Sequence, residues 1–110
     1  MTKQEFKTLI SKRKLILDGA TGSNLQERGM PVGVCPEEWI IEHSDVMCGL
    51  QKEYIEAGTN ILYAPTFSGN RIKLEEYGLQ DRMEEMNLEL VAISKRAIAE
   101  SHAQGSVFVA

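Results

Sequence analysis

Two short segments carry the residue types best suited to chemistry. The first is Asp18-Gly19-Ala20-Thr21-Gly22-Ser23, at the end of the apolar run Leu15-Ile16-Leu17. A carboxylate there could orient a substrate amine or hydroxyl, and the glycines let backbone N–H groups approach an anionic group closely. The same residues also suit an ordinary turn, with Asp18 capping it and the glycines closing it. The second segment is Thr66-Phe67-Ser68-Gly69-Asn70. Thr66 or Ser68 could donate a hydrogen bond into a pocket whose apolar wall is Phe67. Read as plain structure, Phe67 is core and Ser68-Gly69-Asn70 is a turn.

Other candidates are weaker. Gly19 and Gly22 do not make a GxGxxG dinucleotide fingerprint, and no GxxxxGK[ST] phosphate loop occurs. His43 and His102 stand in no metal-ligand spacing and read as surface or helix-end residues. Cys35 precedes Pro36 at a helix start, where a thiolate would be stabilised. Cys48 lies near an apolar helical stripe and reads as a buried structural thiol. Two cysteines alone leave a tetrahedral metal site half filled. Trp39 reads as packing, and Glu75, Glu76, Asp81, Glu84 and Glu85 as a solvated helix face.

The elements that must position these segments follow from periodicity. Thr2 with Glu5 is a capping-box pattern that opens a short helix carrying Phe6, Leu9 and Ile10 on one face. Leu15–Leu17 is a continuous apolar run, which suggests a strand buried on both faces of a parallel sheet. From Ala20 to Gly33 the glycines and Pro31 predict a loop with at most a turn of helix. Pro36 suits the first turn of a small helix through Trp39 and Ile41. Ser44 reads as the N-cap of a helix whose stripe is Met47, Leu50, Tyr54 and Ala57, ended by Gly58. A second strand spans Asn60–Ala64, a short helix Arg71–Tyr77, a long helix roughly Asp81–Ala103, and a third strand Ser106–Ala110. The long helix carries Met86, Leu90, Ile93 and Ala97 on its core face. Alternation of this kind argues for parallel strands joined by right-handed crossovers. An apolar strand closing the sequence, with Val107 and Val109 to cover, predicts a longer chain or a second copy against it, and the longer chain is the favoured reading.

Composition sets the outer bounds. The 110 residues carry 12 Lys and Arg against 16 Asp and Glu, a net charge of −4, with 43% hydrophobic residues. That length suits a single domain, Met1–Ala110. The acidic balance lacks the clustered basic face that nucleic acid requires. No apolar run approaches the ~20 residues that span a bilayer, and the N-terminus has no signal-peptide core. A cytoplasmic protein is expected.

Set beside known families, the motifs say more. Asp18-Gly19-Ala20-Thr21-Gly22-Ser23-Asn24-Leu25 with Gly29 and Pro31 resembles the opening of the homocysteine S-methyltransferase family. The resemblance continues through Ser44-Asp45-Val46 and Tyr54-Ile55-Glu56-Ala57-Gly58-Thr59-Asn60. It is strongest over Ile61–Asn70, followed by Leu74 and Tyr77-Gly78-Leu79. It covers roughly Leu15 to Ala110 and looks most like the N-terminal homocysteine module of the cobalamin-dependent methionine synthases.

The resemblance implies a fold class of α/β, a partial (β/α)8 TIM barrel made of the first three parallel strands and their helices. Such a barrel needs about 250 residues in full. It also implies homocysteine bound at the carboxyl ends of the strands, with Asp18, Gly19, Ala20, Thr21, Gly22, Thr66 and Phe67 as substrate-binding residues. The methyl group then passes to a homocysteine thiolate activated by zinc, since zinc lowers the thiol pKa. The family's three cysteine ligands lie on strands beyond Ala110, and Cys35 and Cys48 match neither position. No catalytic or metal-ligating residue is therefore expected within the 110 residues, which alone should lack activity. The expected partners are homocysteine and a methyl donor. In the methionine synthases the donor is methylcobalamin, with methyltetrahydrofolate bound by other domains. The alternatives are a cobalamin-independent enzyme using betaine or S-methylmethionine, and a non-catalytic assembly or binding fragment. One departure stands out: Ala64-Pro65 precedes Thr66-Phe67 where the family more often has Thr-Asn.

Overall fold

A computed structural model describes Met1–Ala110. The chain opens with helix α1 (Lys3–Lys12), held by the capping box expected from Thr2 and Glu5. The Thr2 hydroxyl accepts the Glu5 N–H at 3.1 Å, and the Glu5 carboxylate accepts the Thr2 N–H. No residue of α1 is buried, so capping and propensity carry the helix more than packing does.

Where the sequence predicts a loop, Gly22–Glu27 forms a short helix, α2, anchored by the fully buried Leu25. Helix α3 (Pro36–Glu42) starts at its proline as expected. Helix α4 (Ser44–Glu56) differs at its start. Its cap is His43, whose ring stacks on Trp39 at 4.0 Å, so Ser44 is already helical. Met47 and Leu50 are buried and Tyr54 half-buried, whereas Ala57 lies exposed beyond the last turn. Gly58, at φ +111°, ends α4 in a Schellman arrangement. Its N–H donates to Ile55 and that of Thr59 to Tyr54.

Helix α5 (Arg71–Glu75) is capped by the Asn70 side chain, which accepts the Lys73 N–H at 2.9 Å. A 3-10 turn at Gln80–Arg82 leads into α6 (Met83–Glu100). The long helix is thus shorter at both ends than the periodicity predicts. It stops where Ala103 donates back to Ile98 and His102 takes φ +52°.

Strands β1 (Ile61–Leu62) and β2 (Phe108–Val109) pair in parallel, Ile61 with Phe108 and Leu62 with Val109. The predicted first strand is not a regular strand. Leu17 makes a single parallel bridge to Ile61, through Ile61 N–H to Ile16 at 3.1 Å and Asp18 N–H to Ile61 at 3.1 Å. Pairing stops on the N-terminal side because the Asn60 side chain, not its backbone, accepts the Ile16 N–H. The three expected strands are therefore two short strands and a bridge.

Alternation separates the two faces of this sheet. Leu62 and Val107 are buried in the main core with Leu25, Leu50, Leu90, Ile93 and Ala97, and Val109 packs against it. Val107 is thus buried and Val109 half-buried against this chain's own core. Ile16 and Leu17, expected to be buried on both sides, are exposed, as is Tyr63.

Candidate functional site

Beyond the bridge and β1 the chain diverges into two loops, and a cavity of about 380 Å³ opens between them. Asp18, Gly19, Thr21 and Gly22 line it from the first loop, and Tyr63, Ala64, Pro65, Phe67 and Ser68 from the second. Pro36, Glu37 and Ile40 of α3 form a third wall, with Leu25 and Met30 completing the lining. Five of the seven residues chosen from sequence therefore meet around one space. Ala20 and Thr66 do not reach it. The Ala20 carbonyl instead accepts the Tyr54 hydroxyl at 2.7 Å and the Asn24 amide at 2.9 Å. Thr66 shapes the loop through its backbone, donating to Ala64 at 2.7 Å and accepting from Gly69 at 3.0 Å.

Asp18 is the chemical centre of this cavity. One carboxylate oxygen, Oδ2, accepts the Tyr63 N–H at 3.2 Å, while Oδ1 is buried with no partner. Burial raises this carboxyl above its ordinary value, and the Tyr63 N–H offsets only part of that. No lysine, arginine or histidine lines the cavity. A carboxylate lining such a space with no basic side chain beside it is suited to a positively charged hydrogen-bond donor.

Gly19 serves by its smallness. A Cβ there would stand 3.0 Å from the Tyr54 hydroxyl and 3.3 Å from its ring, so the glycine lets Tyr54 close under the loop. Phe67 is 97% exposed at the cavity mouth, with no packing to hold its ring. It is not the core residue that the structural reading of its segment would make it.

Sequence reasoning missed four residues that hold the site. Glu37 is buried and accepts the Ser68 N–H at 2.8 Å. Asn87 of α6 donates to the Gly69 carbonyl at 2.7 Å. Gln51 donates to the Tyr63 carbonyl at 3.1 Å, and Tyr54, read as part of an apolar stripe and of the family resemblance but with no role of its own, donates to the Ala20 carbonyl. Nothing in the sequence separates Glu37 from its neighbour Glu38.

The cysteines behave as core residues. Cys48 is buried in the main core cluster and Cys35 in a separate one with Leu74 and Met86. Burial pushes the Cys35 thiol up, so the stabilised thiolate expected at that helix start is not found. No group of three histidine, cysteine or acidic side chains could hold a metal ion. No helix is long and apolar enough to cross a membrane.

Comparison with known proteins gives the fold and the family. A methionine synthase from Mycobacterium tuberculosis (strain ATCC 25618 / H37Rv) is 29% identical over 98 residues, which are 84% of this chain and 8% of that protein. The metallated homocysteine methyltransferase MmuM from Escherichia coli superposes with a TM-score of 0.79 at 19% identity, over 96% of this chain and 39% of that one. The chain thus spans well under half the length of either relative. The family model for homocysteine S-methyltransferase matches residues 15–110, beginning at the apolar run that leads to Asp18, and the chain belongs to that family.

Proposed function

We propose that this chain forms the N-terminal part of a homocysteine-binding (β/α)8 barrel, with Met1–Ala110 a portion of one domain. In this reading it works within a cytoplasmic methyltransferase that makes methionine from homocysteine. The observation that carries the reading is Asp18, a carboxylate with no basic side chain beside it, in the cavity wall at the strands' carboxyl ends. Ligands of parallel α/β barrels bind at that end, and an α-ammonium group supplies the charged donor that no side chain of the cavity offers Asp18. Gly19, Thr21 and Gly22 bring backbone close to the amino-acid end, and Phe67 gives an apolar wall to the methylene chain. Family membership and the likeness to methionine synthase support this substrate class.

The residues of this chain do not fit a zinc site. Cys35 and Cys48 lie in separate core clusters and no third ligand joins either. Activation of the homocysteine thiol is accordingly assigned to residues outside this chain. What the present residues do is bind the amine, orient the chain and shield one side of it from water. The methyl donor, methylcobalamin in the methionine synthase reading, is identified by offering methylcobalamin, betaine and S-methylmethionine in turn.

The test is homocysteine-dependent methyl transfer by the complete enzyme carrying Asp18→Ala. A large rise in the homocysteine KM is expected. Transfer at the wild-type KM overturns the assignment.

A further inference from the structure

We propose that Glu37 is a positioning residue of this cavity, whose carboxylate fixes the loop that presents Phe67. The ligand named in the test rests on the reading above; the geometry of the clamp does not.

Glu37 is only 3% exposed, yet no lysine, arginine or histidine pairs with it. A carboxylate held so deeply without a cation is costly unless its oxygens are hydrogen-bonded. Both are: Oε1 accepts the Ser68 N–H at 2.8 Å and Oε2 faces the Cys35 thiol at 3.7 Å. An apolar side chain would fill the same space more cheaply, so the carboxylate must do what an apolar group cannot. That task is to accept the Ser68 N–H.

The loop needs such an anchor. Phe67 has no packing to hold it, and Asn87 grips the other end of the segment through the Gly69 carbonyl. Asn87 is itself tied to the Met83 carbonyl at 2.7 Å. Between α3 and α6, then, Glu37 and Asn87 fix the Phe67–Ser68 and Gly69–Asn70 peptide units. Glu37 also forms part of the wall between this cavity and a neighbouring one of about 240 Å³ lined by Cys35, Lys73 and Tyr77. Loss of its hydrogen bond frees Ser68 and Phe67 to move towards that second space. Glu37 thus acts on the ligand through Ser68, without touching the reacting atoms.

The test uses the complete enzyme with Glu37→Gln and Glu37→Met. Glutamine keeps an oxygen for Ser68, whereas methionine keeps the length and burial and removes the acceptor. The expected result is a homocysteine KM within about threefold of wild type for Gln and raised about tenfold or more for Met, with kcat changed less, since an interaction with the bound substrate is lost uniformly. Hydrogen exchange at the Ser68 amide supplies a readout independent of the ligand. It should be slow in wild type and in Gln, and fast in Met. Equal KM for all three, a Gln variant as poor as Met, or wild-type Ser68 exchanging as fast as an open loop overturns the proposal. Should wild type fail to bind homocysteine while Ser68 is protected in the same pattern, the ligand assignment falls and the clamp stands.

Discussion

Asp18→Asn separates what Asp18 does for the ligand from what it does for the fold. The asparagine side-chain oxygen can still accept the Tyr63 N–H now held at 3.2 Å, but the negative charge is gone. In the empty protein that charge is a burden, because burial has raised the carboxyl above its ordinary value. A raised value means that the folded state holds the proton more tightly than the unfolded one. The contribution of Asp18 to stability is therefore fully present below its ordinary value and lost as pH rises through the raised one. At neutral pH, Asp18→Asn should leave the unfolding midpoint unchanged or higher. Homocysteine binding should move the other way. A charge-assisted hydrogen bond to a buried group is worth about 1.5–3 kcal/mol, and at 1.4 kcal/mol per tenfold its loss weakens binding roughly 10- to 150-fold. Wild-type affinity should also rise as pH climbs through the raised Asp18 value, and this slope should vanish in the variant. Calorimetric titration with homocysteine and thermal unfolding, each from acid to neutral pH, measure the pair. Wild-type affinity in Asp18→Asn, or a lower midpoint with no change in binding, refutes the reasoning.

Further predictions follow from the packing. Gly19→Ala should destabilise the protein, since its Cβ meets the Tyr54 hydroxyl at 3.0 Å, and Tyr54→Phe should recover part of that loss; a double-mutant cycle on unfolding free energies reads the coupling. Leu62→Ala, at a fully buried position of the main core, should cost about 2–5 kcal/mol in chemical denaturation. Thr2→Ala removes a cap normally worth about 1 kcal/mol, but α1 buries nothing, so amide exchange in Lys3–Lys12 should quicken while the global midpoint stays put. The Thr2 hydrogen bonds hold the Glu5 carboxyl below its ordinary value. That support for α1 is present above the ordinary value and lost as pH falls through the lowered one, so α1 should fray first in acid, visible in the same amide-exchange experiment.

The parts of this structure that were legible in sequence are those fixed by neighbours in the chain. Thr2 and Glu5, Pro36, Gly58 and the Met86–Leu90–Ile93–Ala97 stripe act over one or two helical turns, and each stands where its spacing puts it. Ser44 misled because His43 stacks on Trp39 and takes the cap position, a preference set by an aromatic ring one turn back. Leu15–Leu17 misled because burial on two faces depends on elements far along the chain, not on the run's own hydrophobicity. The same distinction runs through the site. Asp18, Gly19 and Phe67 lie in recognisable segments, whereas Glu37 and Asn87 act across 31 and 18 residues of sequence. A buried glutamate and its half-buried neighbour look alike until the loop that one of them grips is in place.

On the proposed function, the lone bridge between Leu17 and Ile61 would tie substrate to folding. Asp18 follows that bridge directly, and its carboxylate reaches across to Tyr63, so the cavity wall and the least-paired part of the sheet share the same few atoms. A ligand held by Asp18 opposes the local opening of that segment by mass action, amounting to about 2.7 kcal/mol when its concentration is 100 times its Kd. The Leu15–Asp18 segment then acts as a small opening unit whose closed population is set by ligand concentration. Substrate would be a structural component of this part of the protein, supplying the cohesion that a longer ladder would otherwise provide.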